Sequence, residues 1–264
     1  MEAGGGYKAA RETAAVFDRS WRGKIAVAGG DRRTYLQAML TNDVLALAPG
    51  SGCYAAYLTP QGRMIADMSV LELGDLVLLD LDPATTAAVL ESLDKSIFSE
   101  DVKLGDLSEA FGKLTVVGPQ SARVVACVIS GQDQPGPGEG DLATWTEFRN
   151  VRASFRGQMA LVSASWDTGE AGFDVYVERP QVPELAAALA AAAPFLQAAR
   201  TGRSCASRRA GRRSASTWTA TRWRSRPASR TGPSASPRGA IPGTRSSPVS
   251  CTAARAVSRA GLSG

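Results

Sequence analysis

The side chains available for acid–base or nucleophilic chemistry in this chain are limited by its composition. Its 264 residues contain no histidine and four scattered cysteines, Cys53, Cys127, Cys205 and Cys251. The cysteine spacing matches neither a zinc-ligand pair nor a disulfide framework, and without histidine the usual imidazole bases are excluded. Any chemistry must therefore rest on carboxylates, tyrosines, arginines or a thiol.

Asp67 is the carboxylate in the most informative position. It interrupts the largely apolar segment "MIADMSVL", residues 64–71, whose composition predicts a β-strand. A carboxylate buried in such a strand needs a partner or a shifted pKa. Two interpretations stay open: Asp67 lines a ligand cavity, or it forms an ion pair with Arg63 at the start of the strand.

The segments around Asp67 predict an α+β fold. "GKIAVAGG" is typical of a strand, and "DRRTYLQAMLTNDV" of a helix with Asp31 as its N-cap. The turn "TPQG" joins two strands in "CYAAYLTPQGRMIADMSVLEL", which predicts a hairpin. A helix opening at Pro83, a flexible loop over residues 130–141 and a long helix over residues 180–200 are also expected, with further strands between them.

Charge divides the chain sharply near residue 199. Residues 1–199 carry 16 Lys/Arg and 25 Asp/Glu, whereas residues 200–264 carry 14 arginines and no acidic residue. The composition of residues 1–199 therefore predicts a globular region. The tail is poor in large apolar residues and is expected to be disordered. The alanine-rich stretch that begins at Leu185 is broken by Pro194 and is shorter than the ~20 apolar residues of a membrane helix. With no signal-like start, we expect a cytoplasmic protein without membrane association.

Four strings carry a resemblance to a known family. The segments "YLQAMLTNDV", "YAAYLTPQGRMIADM", "VVGPQSA" and "TGEAGFDVYV" occur in this order between residues 10 and 199. Together they resemble the folate-binding superfamily of the glycine-cleavage T-protein (aminomethyltransferase) and its YgfZ relatives. The resemblance implies α+β lobes, here residues 1–130 and 131–199, around a central cavity that holds tetrahydrofolate. Full-length members continue into a C-terminal β-barrel.

The same resemblance implies a set of site residues. Glu170 and Asp174 are candidates to accept hydrogen bonds from the pterin of the folate, since a carboxylate accepts such a pair of donors well. Tyr54 matches the family's pocket tyrosine, Asp67 is the candidate catalytic carboxylate, and Asn42 either lines the cavity or caps its helix. The alternatives are a solvated turn for Glu170, an exposed strand position for Asp174 and a core tyrosine for Tyr54.

One departure from the T-protein pattern concerns the residue before Asp67. The T-protein has two successive aspartates in this stretch, one of which assists aminomethyl transfer through the folate nitrogen, whereas this chain has Ala66 followed by Asp67. The departure favours the YgfZ branch, which the resemblance links to iron-sulfur protein maintenance and tRNA modification. Aminomethyltransferase is the enzyme alternative, and an RNA-binding module with a basic tail is the third.

The tail lacks the YgfZ hallmark that begins Lys-Gly-Cys. A second reading frame joins the third base of each codon to the first two bases of the next codon. In that frame the codons of Trp218 and Thr219 give aspartate whichever synonymous codons are used. The codons of residues 237–245 permit Lys-Gly-Cys-Tyr-Pro-Gly-Asp-Glu in the same frame. We therefore expect a frameshift near residues 197–205, with residues 200–264 out of frame. The competing hypothesis is an arginine-rich arm that binds nucleic acid without sequence specificity.

Overall fold

The computed structural model describes residues 10–129 and 136–192, together with the backbone of residues 198–199. These residues form two β-sheets with helices packed against them, as the α+β prediction requires. The strands are β1 (Ala15–Asp18), β2 (Gly23–Ala28), β3 (Ser51–Leu58), β4 (Met64–Glu72), β5 (Leu76–Leu81), β6 (Lys103–Asp106), β7 (Phe111–Val117), β8 (Asn150–Phe155), β9 (Gln158–Ser165), β10 (Gly172–Glu178) and β11 (Ala198–Ala199). The helices are α1 (Arg32–Met39), α2 (Pro83–Asp94), α3 (Ser121–Val128), α4 (Glu139–Ala143) and α5 (Val182–Ala192), with a 3-10 turn at Arg179–Gln181.

Sheet I contains the hairpin that carries Asp67. Its strand order is β3-β4-β5-β2-β6, and all of its neighbouring strands are antiparallel. Sheet II has the order β11-β1-β7-β10-β9-β8, in which only the β1–β11 pair is parallel. Strands β1 and β7 thus pair with strands that follow residue 150, while the division into lobes at residue 130 stays a prediction.

One face of each sheet is covered by helices. In sheet I, alternate apolar residues such as Ile25 and Met68 pack in one cluster with Leu36 of α1 and Leu93 of α2. In sheet II, the equivalent residues pack with α3 and α5 through side chains that include Val125 and Leu185. Because side chains alternate across a strand, each sheet turns its other residues to the opposite face.

Those opposite faces meet each other. Leu71 and Leu78 of sheet I form a small buried cluster with Leu161 and Tyr176 of sheet II. The fold therefore stacks helices, sheet I, sheet II and helices in that order. We call the side of sheet I that meets sheet II its inter-sheet face, and the side that meets α1 and α2 its helix face.

Several local predictions are confirmed. The β3–β4 hairpin forms as expected, and Gly62 in its turn has a φ of 77°, a conformation that favours glycine. Helix α2 begins at Pro83, and the Asp82 carboxylate caps it by accepting a hydrogen bond from the Ala84 amide at 2.9 Å.

Helix α1 begins where predicted, with Asp31 at the N-cap position, but its capping and its C-terminal end differ from the prediction. The Asp31 side chain does not cap the helix and instead accepts a hydrogen bond from the Asp101 amide at 2.9 Å. The helix ends at Met39, because Leu40 is extended and pairs with Tyr57 in an isolated bridge. Tertiary pairing thus overrides the helical pattern that continued to residue 44.

The long C-terminal helix predicted over residues 180–200 is wrong at its end. Helix α5 is described over Val182–Ala192, and residues 198–199 form β11, which pairs in parallel with β1. The loop predicted over residues 130–141 also contains the start of α4 at Glu139, whereas residues 130–135 lie outside the described residues. The expectations for the tail, residues 200–264, likewise lie outside them.

Candidate functional site

A polar row crosses the inter-sheet face of sheet I. In the strand register, Tyr54 of β3 lies opposite Ser69 of β4, Ser69 opposite Asp80 of β5, and Asp80 opposite Lys24 of β2. Asp67 is two residues from Ser69 on the same strand and so lies on the same face. Five polar side chains are therefore gathered on the same face as the buried Leu71 and Leu78.

Asp67 is held by a tyrosine. Its Oδ2 accepts a hydrogen bond from the Tyr54 hydroxyl at 2.9 Å, so Tyr54 is its partner in place of the alternative ion pair with Arg63. Burial raises the pKa of the Asp67 carboxyl, and the Tyr54 hydrogen bond and the positive charge of Arg22 offset this only in part. The carboxyl is thus poised to hold a proton at a higher pH than an ordinary aspartate.

Asn42 lies three residues after Met39, the last residue of α1, and is exposed. Its side-chain amide donates a hydrogen bond to the backbone carbonyl of Tyr54 at 2.9 Å. Asn42 therefore does not cap α1, whose C-cap is Leu40. The structure joins Asn42, Tyr54 and Asp67 through consecutive hydrogen bonds, although they lie up to 25 residues apart in the chain.

Ala66 points away from this group. It is 1 % exposed and belongs to the apolar cluster on the helix face, together with Tyr57 and Met68. An aspartate at this position would therefore project into the apolar core beneath α1 and α2. The aspartate that this chain retains, Asp67, is the one whose side chain reaches the inter-sheet face.

Asp80 is the centre of a buried charge cluster that ties the two sheets together. Its carboxylate accepts hydrogen bonds from Lys113 Nζ at 2.8 Å and from the Tyr176 hydroxyl at 2.7 Å, both in sheet II, and from Nε of Arg22. Burial alone would raise the pKa of the Asp80 carboxyl, but the charges of Arg22 and Lys113 outweigh it and hold this pKa well below its usual range. Asp80 is therefore a permanent anion.

Asp174 belongs to the same cluster. Its Oδ2 lies 2.7 Å from Lys113 Nζ, and its Oδ1 accepts a hydrogen bond from the Thr115 hydroxyl at 2.6 Å. The residue is 5 % exposed, so the alternative of an exposed strand position does not apply. Both carboxylate oxygens of Asp174 are engaged within the protein.

Glu170 lies in the turn before β10, where three segments meet. Its carboxylate pairs with Arg11 at 3.3 Å and its side chain is 35 % exposed. The carbonyl of the next residue, Ala171, accepts a hydrogen bond from the Gly118 amide at 3.0 Å. Gly118 has a φ of 120°, and a side chain there would clash with the carbonyl of Thr13. Glu170 is therefore held at the end of sheet II with its carboxylate partly open to solvent.

Four residues of the site were missed by the sequence predictions: Arg22, Asp80, Lys113 and Tyr176. Asp80 interrupts the apolar run "LVLLDL" just as Asp67 interrupts its own strand. The signal that singled out Asp67 was thus present at Asp80. It did not reveal the partners, because Asp80 and Tyr176 are 96 residues apart in the chain.

Of the two thiols among the described residues, neither lies on the polar row. Cys53 packs toward the helix face, and burial raises the pKa of its thiol to about 11, which leaves it protonated and unreactive. Cys127 is exposed on α3, and Cys205 and Cys251 lie outside the described residues.

An apolar cavity of about 80 Å³ lies between the sheets beside the charge cluster. Its lining includes Leu78, Phe111, Leu161, Tyr176 and the stem of Lys24. Lys24 is fully buried, and its Nζ donates to the carbonyls of Arg22 at 2.7 Å and Ser20 at 3.2 Å. Burial lowers the pKa of Lys24 to about 8, and the Asp80 charge offsets this only in part.

The described residues contain neither a metal-binding cluster nor a membrane-spanning helix. In this part of the chain, no group of three or more cysteine, aspartate or glutamate side chains is arranged to hold a metal ion. None of the helices described for residues 10–192 has the length and apolar composition needed to cross a membrane.

Comparison with known proteins identifies what this fold resembles. The family model described as "GCVT N-terminal domain" matches residues 3–213. The aminomethyltransferase of Rubrobacter xylanophilus is 29% identical over 179 residues, which are 68% of this chain and 46% of that protein. That of Bacillus subtilis is 28% identical over 171 residues, 64% of this chain and 45% of the relative. The chain thus spans less than half the length of these curated relatives.

Solved structures show the same fold. The glycine cleavage system aminomethyltransferase T from Bartonella henselae superposes with a TM-score of 0.62 at 22% identity, covering 72% of this chain and 49% of that one. A chain of the heterotetrameric sarcosine oxidase from Corynebacterium sp. U-96 gives a TM-score of 0.50 at 18% identity, covering 72% and 88%. The T-protein-like α+β fold predicted from the sequence is confirmed.

Proposed function

The chain belongs to the GCVT N-terminal domain family, and we propose that it binds a reduced folate at Asp67 and works in aminomethyl transfer to that folate. The observation that carries the proposal is the orientation of Asp67. This carboxylate lies on the inter-sheet face in contact with Tyr54, while its neighbour Ala66 lies in the core. This orientation supports Asp67 as the reactive carboxylate of the proposed site.

Asp67 is suited to exchange a proton with the folate nitrogen. Its pKa is raised by burial, and general acid–base groups work best when the pKa approaches the working pH. The Tyr54 hydroxyl fixes one oxygen of the Asp67 carboxylate at 2.9 Å. Asn42 supports this arrangement by holding the backbone carbonyl of Tyr54. In the proposed reaction a tetrahydrofolate nitrogen bonds to the carbon of a donor's aminomethyl group, and the amine of that group leaves as ammonia.

Of the two carboxylates expected at the pterin, Glu170 is the one we retain as its acceptor. Glu170 is partly exposed and makes one long ion pair, which a ligand can replace or share. Asp174 has both oxygens engaged by Lys113 and Thr115, so its proposed role is to hold Lys113 in the charge cluster. Aromatic packing of Tyr54 against the ligand is part of the same proposal.

The names of the relatives favour aminomethyl transfer over the YgfZ-type role. The argument from Ala66 for the YgfZ branch weakens, because an aspartate there would not reach the inter-sheet face. A YgfZ-type protein that supports iron-sulfur proteins and tRNA modification is nevertheless the second candidate. Its support is the single-aspartate pattern and the hallmark that the shifted reading frame permits.

Tetrahydrofolate titration of the full chain tests the proposal. We expect saturable binding by the wild type and a loss of about 100-fold in the rate of aminomethyl transfer in Asp67→Asn, the size of a general acid–base contribution. Asp94→Asn, which removes an exposed carboxylate at the end of α2, is the matched control and should leave both unchanged.

Each outcome has a distinct meaning. A wild-type chain that does not bind tetrahydrofolate would overturn both folate functions. A chain that binds tetrahydrofolate but shows no aminomethyl transfer would overturn the enzymatic proposal and favour the YgfZ-type role.

A further inference from the structure

The apolar cavity between the two sheets has a buried end and an open end. At the buried end its lining includes Leu78, Leu161 and Tyr176, each of which is no more than 6% exposed. At the open end, Leu76 is half-buried and Met159 is 39% exposed. The cavity thus runs from the surface beside Met159 to the buried inter-sheet face of sheet I.

The polar atoms of the inner lining are engaged by other parts of the protein. The Tyr176 hydroxyl donates to the Asp80 carboxylate at 2.7 Å, and Lys24 Nζ donates to two backbone carbonyls at 2.7 and 3.2 Å. These residues therefore contribute an aromatic ring and an aliphatic stem to the cavity wall. A water molecule in a protein needs two to four polar partners, so the buried end suits a hydrocarbon chain better than water.

Arg152 is the cationic residue at the open end of the cavity. It belongs to β8 of sheet II, and its Nη2 donates to the carboxylate of Asp75, which lies between β4 and β5 of sheet I. The Arg152 side chain is 35% exposed and that of Asp75 is 63% exposed. A guanidinium has five N–H donors, and that of Arg152 makes no second hydrogen bond to residues 10–129 or 136–192. Arg152 therefore keeps donors for a ligand anion while it holds Asp75.

We propose that this cavity binds a short-chain carboxylic acid, with the alkyl chain between the sheets and the carboxylate on Arg152. A guanidinium and a carboxylate form charge-assisted hydrogen bonds, which supply the specificity for an acid. The size of the cavity sets the length of the chain. An apolar cavity of roughly 150 Å³ holds benzene, so the volume of about 80 Å³ suits a chain of about three or four carbons.

The cavity and Asp67 lie on opposite sides of Asp80. In the β4–β5 register, Leu71 lies opposite Leu78, which lines the cavity. Two residues further along each strand, Ser69 lies opposite Asp80, and Asp67 follows on the same face. The acid and the reduced folate are therefore bound at different positions of the inter-sheet face, and the inference does not depend on the proposed function.

The test compares butanoate with butanamide, which has the same shape and no charge. Each is titrated into the full chain while the methyl resonances of Leu78 and Leu161 are followed. Both should shift these methyls with saturation, and butanoate should bind at least about threefold more tightly, as expected for a partly exposed ion pair. Arg152→Gln should lose this preference. Arg156→Gln, which removes an exposed arginine at the end of β8, is the matched control and should keep it.

Leu161→Phe tests the cavity itself, because the larger ring fills the space for the alkyl chain. It should abolish binding of both ligands, and its melting temperature shows whether the fold survives the added volume. If it does not, Met159→Phe blocks the exposed end of the cavity instead and should have the same effect on binding. The inference is overturned by a wild type that shows no saturable shift, by butanoate binding that persists in the folded filled or blocked variant, or by an Arg152→Gln variant that keeps the preference for butanoate.

Discussion

The two faces of strand β4 follow opposite rules. Ala66, Met68 and Val70 point to the helix face and pack into an apolar core in which each is no more than 1% exposed. Asp67 and Ser69 alternate with them and point to the inter-sheet face, where Asp67 meets the Tyr54 hydroxyl. One strand thus carries a structural face and a candidate functional face.

The difference lies in what each face offers a charge. On the helix face, a carboxylate would meet aliphatic side chains and pay its full desolvation cost. On the inter-sheet face, every buried carboxylate of the polar row has a partner: Tyr54 for Asp67, and Arg22, Lys113 and Tyr176 for Asp80. A ligand site is therefore expected on the inter-sheet face, where buried polar side chains already have hydrogen-bond partners.

Asp80→Ala should produce the largest effect on stability. It leaves Lys113 and Arg22 buried without their shared anion, and breaking a buried pair in this way costs about 3–5 kcal/mol. Urea unfolding measures the change in the free energy of unfolding. Asp75→Ala, which removes an exposed partner of Arg152, is the control and should cost about 1 kcal/mol or less. Equal losses in the two variants would show that the buried ion pairs of Asp80 stabilise the fold no more than an exposed ion pair does.

Ala66→Asp tests the helix face directly. We expect a loss of about 3 kcal/mol or more at pH 7, because the new carboxylate has no partner there. Burial raises the pKa of such a group in the folded state, so the cost appears as pH rises above about 4 and shrinks toward pH 4. Unfolding midpoints at pH 4 and pH 7 check the trend. Ala66→Asn should show no such pH dependence, and a stable Ala66→Asp at pH 7 would refute the assignment of this face.

The buried Lys24 is expected to have a smaller effect on the free energy of unfolding, and this effect depends on pH. Since its folded pKa is about 8 and its ordinary value is 10.5, the unfolded chain binds more protons between these values, and stability should rise with pH across this window. Relative to Lys24→Met, the wild type should gain up to about 3 kcal/mol from pH 8 to pH 10.5. Lys95→Met, at an exposed position, should show no such gain. A flat difference would mean that Lys24 is not desolvated.

Asp67→Asn should have the smallest effect on stability. Burial raises the pKa of Asp67 in the folded protein, so its ionised form at pH 7 opposes folding, and a neutral amide that still accepts from Tyr54 does not. The free energy of unfolding at pH 7 should stay within about 1 kcal/mol of the wild type or rise. A loss above this range would mean that Asp67 is primarily a structural residue.

Local patterns predicted much of sheet I. Three features depend on residues that are close together in the chain: the hairpin turn, the proline that opens α2 and the isolated polar residue in β4. The two-residue strand β11 has no such local signal, and its pairing with β1 depends on contacts across about 180 residues. The end of α1 escaped prediction for the same reason, since a tertiary bridge to Tyr57 sets it.

The sequence was enough to predict Asp67 as a candidate site residue. It was not enough to predict the hydrogen bonds and ion pairs around it. Alternation along β4 separates Ala66 from Asp67 once the strand is known, yet two adjacent aspartates in the family pattern invite the view that both serve one site. The charge cluster was hidden because Arg22, Asp80, Lys113 and Asp174 come from four separate segments. Its members meet only when the two sheets pack.

The most direct measurement compares the two faces in one spectrum. Methyl resonances of Ala56, which lies opposite Asp67 on the inter-sheet face, and of Ala66 on the helix face can be followed while tetrahydrofolate is added to the full chain. We predict that the Ala56 methyl shifts with saturation while the Ala66 methyl stays in place. A shift of Ala66 without Ala56, or no shift of either at saturating ligand, would contradict a folate site on the inter-sheet face.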